Sequence, residues 1–139
     1  MNQSLATPQD AEDAYYDALE AGDLDAVMAV WENSDDIACL LPMQTLARGR
    51  DAVRKLFEPL LGGGHGVMLA VTHLQWIETP DLAVHLLEET ATPPPGRPVM
   101  PIYATNVYRR GADGWYLLSH QNAPAAPPAG MKPHAGGPG

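Results

Sequence analysis

Chemistry in this sequence would have to come from a few polar side chains set among apolar ones. In Val84-His85-Leu86-Leu87-Glu88-Glu89, an extended chain sends Val84, Leu86 and Glu88 to one face and His85, Leu87 and Glu89 to the other. If the first face lines a cavity, Glu88 is a carboxylate among apolar groups, and its desolvation suits it to serve as acid or base. At the strand end it would instead lie in solvent, as most glutamates do, and a one-residue bulge would exchange it for Glu89. His120 could shuttle protons beside a cavity, or be a hydrogen-bonded sheet residue. By alternation it is opposite in parity to Trp115, Leu117, Ser119 and Gln121, so Ser119 and His120 do not form a nucleophile–base pair. Ile102, Ala104, Asn106 and Tyr108 share one strand face, with Tyr103, Thr105, Val107 and Arg109 opposite. An amide such as Asn106 among apolar neighbours needs partners, because leaving it bare costs about 1–3 kcal/mol. A ligand, Tyr15 or water could supply them. His65, His73, His85 and His134 have no metal-ligand spacing, and Cys39 has no basic neighbour to activate it. No metal or cofactor is expected. Trp31, Trp76 and Trp115 read as core or interface anchors.

Three helices precede the strands that must hold these residues. Thr7 suits an N-cap, Pro8 the first helical position and Asp10 the first turn. Ala11, Ala14, Tyr15, Ala18 and Leu19 then repeat at helical spacing. Gly22 ends this helix and Asp23 caps a second, striped by Leu24, Val27, Val30 and Trp31. Ile37 to Leu41 reads as a short strand. Arg50 to Leu61 reads as a third helix, with Val53, Leu56, Phe57, Leu60 and Leu61 on one side and Gly62-Gly63-Gly64 as its stop. Four extended segments follow: Val67 to Ile77, Leu82 to Ala91, Ile102 to Arg110 and Trp115 to Asn122. Helices first and a meander last indicate an α+β domain over residues 8–124, with an arm at 1–7 and a Pro/Gly/Ala-rich tail at 125–139. Helices on the concave side of a curved antiparallel sheet would enclose a cone-shaped cavity.

Composition narrows the class. The 139 residues carry 17 acidic and 8 basic side chains, a net charge of −9 that disfavours nucleic acid and anionic membranes as partners. The single cysteine gives no disulfide framework. With neither a signal-peptide pattern nor a bilayer-length apolar run, a cytoplasmic location is expected.

Four segments carry a family resemblance: Ala18-Leu19-Glu20-Ala21-Gly22-Asp23-Leu24-Asp25-Ala26, Arg48-Gly49-Arg50-Asp51-Ala52-Val53, Ala104-Thr105-Asn106-Val107-Tyr108-Arg109-Arg110, and Asp113-Gly114-Trp115. In this order and spacing they resemble the nuclear transport factor 2-like superfamily, which includes ketosteroid isomerases, SnoaL-like cyclases, scytalone dehydratase and the association domain of calcium/calmodulin-dependent kinase II. The resemblance implies a cystatin-like cone with Ile102, Ala104, Asn106 and Tyr108 facing inward. It matches the isomerases' oxyanion-holding tyrosine to Tyr15 and their acid to Asn106, whose amide can donate without a pKa shift. Where the isomerases place their aspartate base, this chain reads Leu40-Leu41-Pro42-Met43. The arginine of the kinase domain is also replaced, by Asn106.

Together these readings imply a homodimer, paired through the convex sheet face with Tyr103, Val107 and Trp76. Each cone would hold a small, mainly apolar or carbonyl-bearing molecule against Tyr15, Phe57, Val84, Leu86, Ile102, Ala104, Asn106 and Tyr108. The alternatives are an enzyme using Glu88 or His120 as base, with Tyr15 and Asn106 steadying an enolate-like oxygen, and an assembly domain without a ligand.

Overall fold

The computed structural model describes residues 5–91, 95–96 and 100–125. The chain runs α1 (Pro8–Ala21), α2 (Leu24–Val30), β1 (Ala38–Leu40), β2 (Ala47–Arg48), α3 (Arg50–Leu61), β3 (Leu69–Glu78), β4 (Leu82–Ala91), β5 (Ile102–Gly111) and β6 (Gly114–Pro124). Local chemistry sets the helix ends. The Thr7 hydroxyl accepts from the Asp10 amide, and the Asp10 carboxylate accepts from the Thr7 amide, closing a capping box. Gly22 ends α1 in the left-handed region at φ 68°, and a Cβ there would stand 2.8 Å from the His65 backbone. Asp23 caps α2 through the Ala26 amide. Arg50 then donates to the carbonyls of Met28, Trp31 and Glu32, which satisfies the end of α2 and ties α3 to it.

Six strands form one sheet in the order β2-β1-β6-β5-β4-β3. The four long strands are an antiparallel meander, as their hydrophobic patterning implies. The antiparallel expectation fails at one end: β1 pairs parallel with β6, so the sheet is mixed, and β2 adds a short edge. A three-residue run has no hairpin turn to fix its direction, so tertiary packing decides it. Tyr15, Trp31 and Phe57, contributed by α1, the end of α2 and α3, meet edge-on or tilted in the core above the concave face.

Two irregularities decide which side chains reach that core. Between β5 and β6, Val107 pairs with Ser119 while Tyr108 pairs with Leu117, so Leu118 is an extra residue. Between β3 and β4, Leu74 is extra in the same way. Residues 1–4 and 126–139 lie outside the described region, which takes in most of the proposed arm and tail. Among the described residues no helix is long and apolar enough to cross a membrane.

Candidate functional site

A cavity of about 230 Å³ opens between α1, α3 and the strands β4–β6. Leu19, Leu41, Phe57, Val67, Leu69 and Ile102 supply apolar wall, and Leu60 and Met100 stand at it with substantial exposure. Tyr15, Gln44, Glu89, His120 and Asn122 are the lining residues with polar side-chain groups. Glu89 and His120 are 5% and 1% exposed, so both have given up bulk water.

Alternation misleads on β4 and on β6, for different physical reasons. On β4 the buried residues are Ala83, His85, Leu87 and Glu89, whereas Val84, Leu86 and Glu88 lie half-buried on the other face. The assignment of Val84, Leu86 and Glu88 to the cavity is therefore corrected, and Glu89 takes the place expected of Glu88. The apolar character of Val84 and Leu86 does not mark the inward face, because both faces of this strand carry apolar groups. His120 does face inward, and so do Trp115 and Leu117, because the extra Leu118 shifts the parity of β6 between them. Trp76 lies against buried His85, ring centroids 3.6 Å apart, and so belongs to the concave side and not the convex one. Tyr15, Phe57, Ile102 and His120 line the cavity. Ala104, Asn106 and Tyr108 also point inward but are wholly buried and are not among the residues lining it.

Asn106 is occupied by the protein itself. Its Nδ2 donates to the Tyr16 hydroxyl at 3.0 Å and the Tyr108 hydroxyl at 3.3 Å, and its Oδ1 meets His120 Nδ1 at 2.5 Å. The neighbouring tyrosine of α1, Tyr16 and not Tyr15, is thus its partner. Tyr16 in turn donates to Glu89 Oε2 at 2.6 Å, and Asn122 donates to Glu89 Oε1 at 2.8 Å. His120 Nε2 lies 2.9 Å from Asn122 Oδ1 and 3.9 Å from Glu89. Burial pushes the Tyr16 phenol far up, with the adjacent Glu89 adding to the effect. Burial draws His120 below the ordinary imidazole value, against the opposing pull of Glu89 and the hydrogen bond to Asn122. The Cys39 thiol is raised by burial and then by Glu89, so it is inert.

A second buried carboxylate lies farther along the same face. Glu12 of α1 accepts from His85 Nδ1 at 2.9 Å, His73 Nε2 at 2.6 Å and Gln9 at 2.8 Å. Burial alone would raise the Glu12 pKa, but the hydrogen bonds from His85, Gln9 and His73 outweigh it and hold the group below its ordinary value. Nδ1 of His85 is committed to the Glu12 carboxylate, and its Nε2 has no hydrogen-bond partner among the described residues. No group of three or more His, Cys, Asp or Glu among the described residues is placed to hold a metal. Glu12, Tyr16 and Asn122 are absent from the sequence-derived site, and Glu89 enters it only as the alternative to Glu88. For Glu12, a charged residue one position after Ala11 in the buried stripe was the available signal.

Three helices packed on a six-stranded mixed sheet define an α+β domain with a cystatin-like fold, of the nuclear transport factor 2-like class. The SnoaL-like domain family matches residues 9–127, and the chain belongs to it. A solved chain from Thiobacillus denitrificans, named for the association domain of calcium/calmodulin-dependent protein kinase type II, is 36% identical with a TM-score of 0.81, over 90% of this chain and 100% of that one. A chain from Streptomyces avermitilis, named as a dehydratase of the NTF2-like family, is 26% identical with a TM-score of 0.70, over 83% of this chain and 91% of that one. A ketosteroid isomerase-like protein from Erwinia carotovora atroseptica, at 22% identity and TM-score 0.64, covers 91% of this chain and 100% of its own and shares the fold. No curated protein matches the chain.

Proposed function

We propose that this SnoaL-like domain binds a small, mainly apolar molecule in the cavity between α1, α3 and β4–β6. The observation that carries the reading is a predominantly apolar wall that also includes Tyr15, Gln44, Glu89, His120 and Asn122, around a single partly open cavity. Ligand sites have this composition: burial supplies affinity and a few polar atoms fix orientation. At about 230 Å³ the cavity is below the ~300–1,000 Å³ usual for drug-sized ligands, so the occupant is compact. Ile102 and Phe57 are its contacts in this reading, and Asn106 positions His120 from behind. Native mass spectrometry of the freshly purified protein, followed by titration with cyclohexanone, tests it. Leu60→Trp, placed at the half-exposed mouth, should abolish binding and leave the fold intact; undiminished binding would remove the cavity from consideration.

One observation favours an enzymatic second reading: a buried carboxylate and a buried imidazole stand together at the cavity. In that reading Glu89 and His120 move a proton on an enolisable substrate, and Tyr15 steadies the developing oxyanion. Turnover of a panel of ketones and lactones by wild type, Glu89→Gln and His120→Ala tests it, and an inactive wild type ends it. The homodimer enters here as well. Val84, Leu86, Val107, Ile77 and Tyr103 give the uncovered sheet face an apolar surface suited to a second copy. Light scattering on wild type and Val84→Arg distinguishes a dimer broken by the charge from a monomer in both.

A further inference from the structure

Beside the cavity five side chains close a ring of hydrogen bonds. Its contacts are Glu89 with Tyr16, Tyr16 with Asn106, Asn106 with His120, His120 with Asn122, and Asn122 with Glu89. Each contact needs one hydrogen between its two heavy atoms: none leaves lone pair against lone pair, and two collide. Tyr16 has one hydroxyl hydrogen to give. Each asparagine gives one within the ring, since its amide turns the NH₂ edge to one neighbour and the oxygen to the other. Those three groups serve three of the five contacts. The remaining two hydrogens must come from Glu89 and His120 together. An ionised Glu89 with a neutral imidazole offers only one.

We infer that Glu89 and His120 jointly hold one proton more than a carboxylate and a neutral imidazole, so the polar edge of the cavity carries no net charge and suits the polar end of an uncharged molecule. The ligand class rests on the binding reading above; the proton count does not. Two arrangements satisfy all five contacts, and they differ only in hydrogen positions and in a half-turn of the Asn106 amide that exchanges its oxygen and nitrogen. In the first, Glu89 is ionised and accepts from Tyr16 and Asn122, Asn106 donates to Tyr16, and doubly protonated His120 donates to both asparagine oxygens. In the second, protonated Glu89 donates to Tyr16, Tyr16 donates to Asn106, the Asn106 amide is turned to donate to His120 Nδ1, and His120 Nε2–H still donates to Asn122. One proton has passed from His120 to Glu89 and the total is unchanged.

Surrounding groups permit both forms. Asn122 is fixed because its NH₂ also donates to the Tyr103 carbonyl at 3.1 Å. The Tyr108 hydroxyl beside Asn106 can donate or accept, so it suits either amide orientation. The titratable groups that feel Glu89 are Tyr15, Tyr16 and Cys39, then Tyr108 and His120. Only His120 among them is basic. An ionised Glu89 with neutral His120 would therefore place an uncompensated charge where Glu89 is 5% exposed, and would also leave one ring contact without its hydrogen. Burial disfavours the imidazolium, which is relieved when the proton sits on Glu89.

Glu89→Gln provides the test, because a glutamine NH₂ replaces the carboxyl hydrogen and closes the ring with neutral His120. Wild type and Glu89→Gln should then have equal charge at pH 7.5 and co-migrate in native capillary electrophoresis. Glu88→Gln, on the opposite sheet face, calibrates a one-charge step. A full step for Glu89→Gln overturns the proton count. Nuclear magnetic resonance of the wild type at the same pH decides it without any variant: a deprotonated Glu89 carboxyl together with a neutral His120 ring refutes it. Four probes of one skeleton address the ligand class. Cyclohexanol and cyclohexanone should bind at least tenfold more tightly than cyclohexylamine or cyclohexanecarboxylate. Tighter binding of either ion overturns the ligand class. Binding of none removes the binding reading, leaving the electrophoretic result to stand or fall alone.

Discussion

Replacing Asn106 by leucine tests whether the polar ring is a folded-state element or an incidental set of contacts. Leucine keeps the branching and the number of side-chain heavy atoms of asparagine, so most of its effect comes from the hydrogen bonds it cannot make. Asn106 is wholly buried and serves three groups, Tyr16, Tyr108 and His120. Tyr16 keeps its bond to Glu89, which leaves His120 Nδ1 and the Tyr108 hydroxyl as the groups that lose most. At about 1–3 kcal/mol for each buried polar group left bare, the expected loss is about 2–6 kcal/mol. For a domain of this size that corresponds to a fall in Tm of roughly 8–24 °C, taking about 4 °C per kcal/mol. Urea unfolding at pH 7 measures the loss directly, with an unchanged m-value showing that the same surface is buried. A second substitution sharpens the result. In Asn106→Leu with His120→Leu the orphaned imidazole is gone, so the double variant should lose about 1–2 kcal/mol less than the sum of the singles. A loss below about 0.5 kcal/mol for Asn106→Leu, a surface-like value, or strict additivity in the cycle, would refute the ring as a cooperative unit.

The remaining expectations are briefer. Glu12 is held below its ordinary value in the folded state, so it contributes stability above the unfolded carboxyl pKa of about 4.5 and loses it as pH falls through the lower folded value. Denaturant midpoints from pH 6 to 3 should therefore fall less steeply in Glu12→Gln than in wild type, and parallel curves would contradict the cluster. Arg50→Ala removes three bonds to backbone carbonyls at the end of α2 and should cost about 2 kcal/mol by thermal unfolding, with Arg50→Lys recovering part of it. Gly22→Ala forces a side chain into a left-handed position against the His65 backbone and should cost about 1–3 kcal/mol; a neutral effect would mean this turn is not as described. Cys39 should resist iodoacetamide in the native protein and react once unfolded, because burial and the nearby Glu89 disfavour its thiolate.

The helices, the four long strands and the family can be read along the chain, because each rests on local signals. The Thr7–Asp10 box, Gly22, the Arg50–Leu61 stripe and the alternation of β5 are legible along a few residues of chain. The inward set Ile102, Ala104, Asn106 and Tyr108 came from the family resemblance and agrees with the burial of β5. Tertiary structure alone decided which carboxylate is buried. Val84-His85-Leu86-Leu87 is apolar or aromatic on both faces, so period-two alternation fits either side, and only packing beneath α1 selects His85, Leu87 and Glu89. The extra Leu118 inverts parity within β6, and such a bulge depends on pairing with β5 that no short window contains. Likewise Asn106 is plainly a buried amide in need of partners, but Tyr16, 90 positions away, becomes its neighbour only when the helix closes over the sheet.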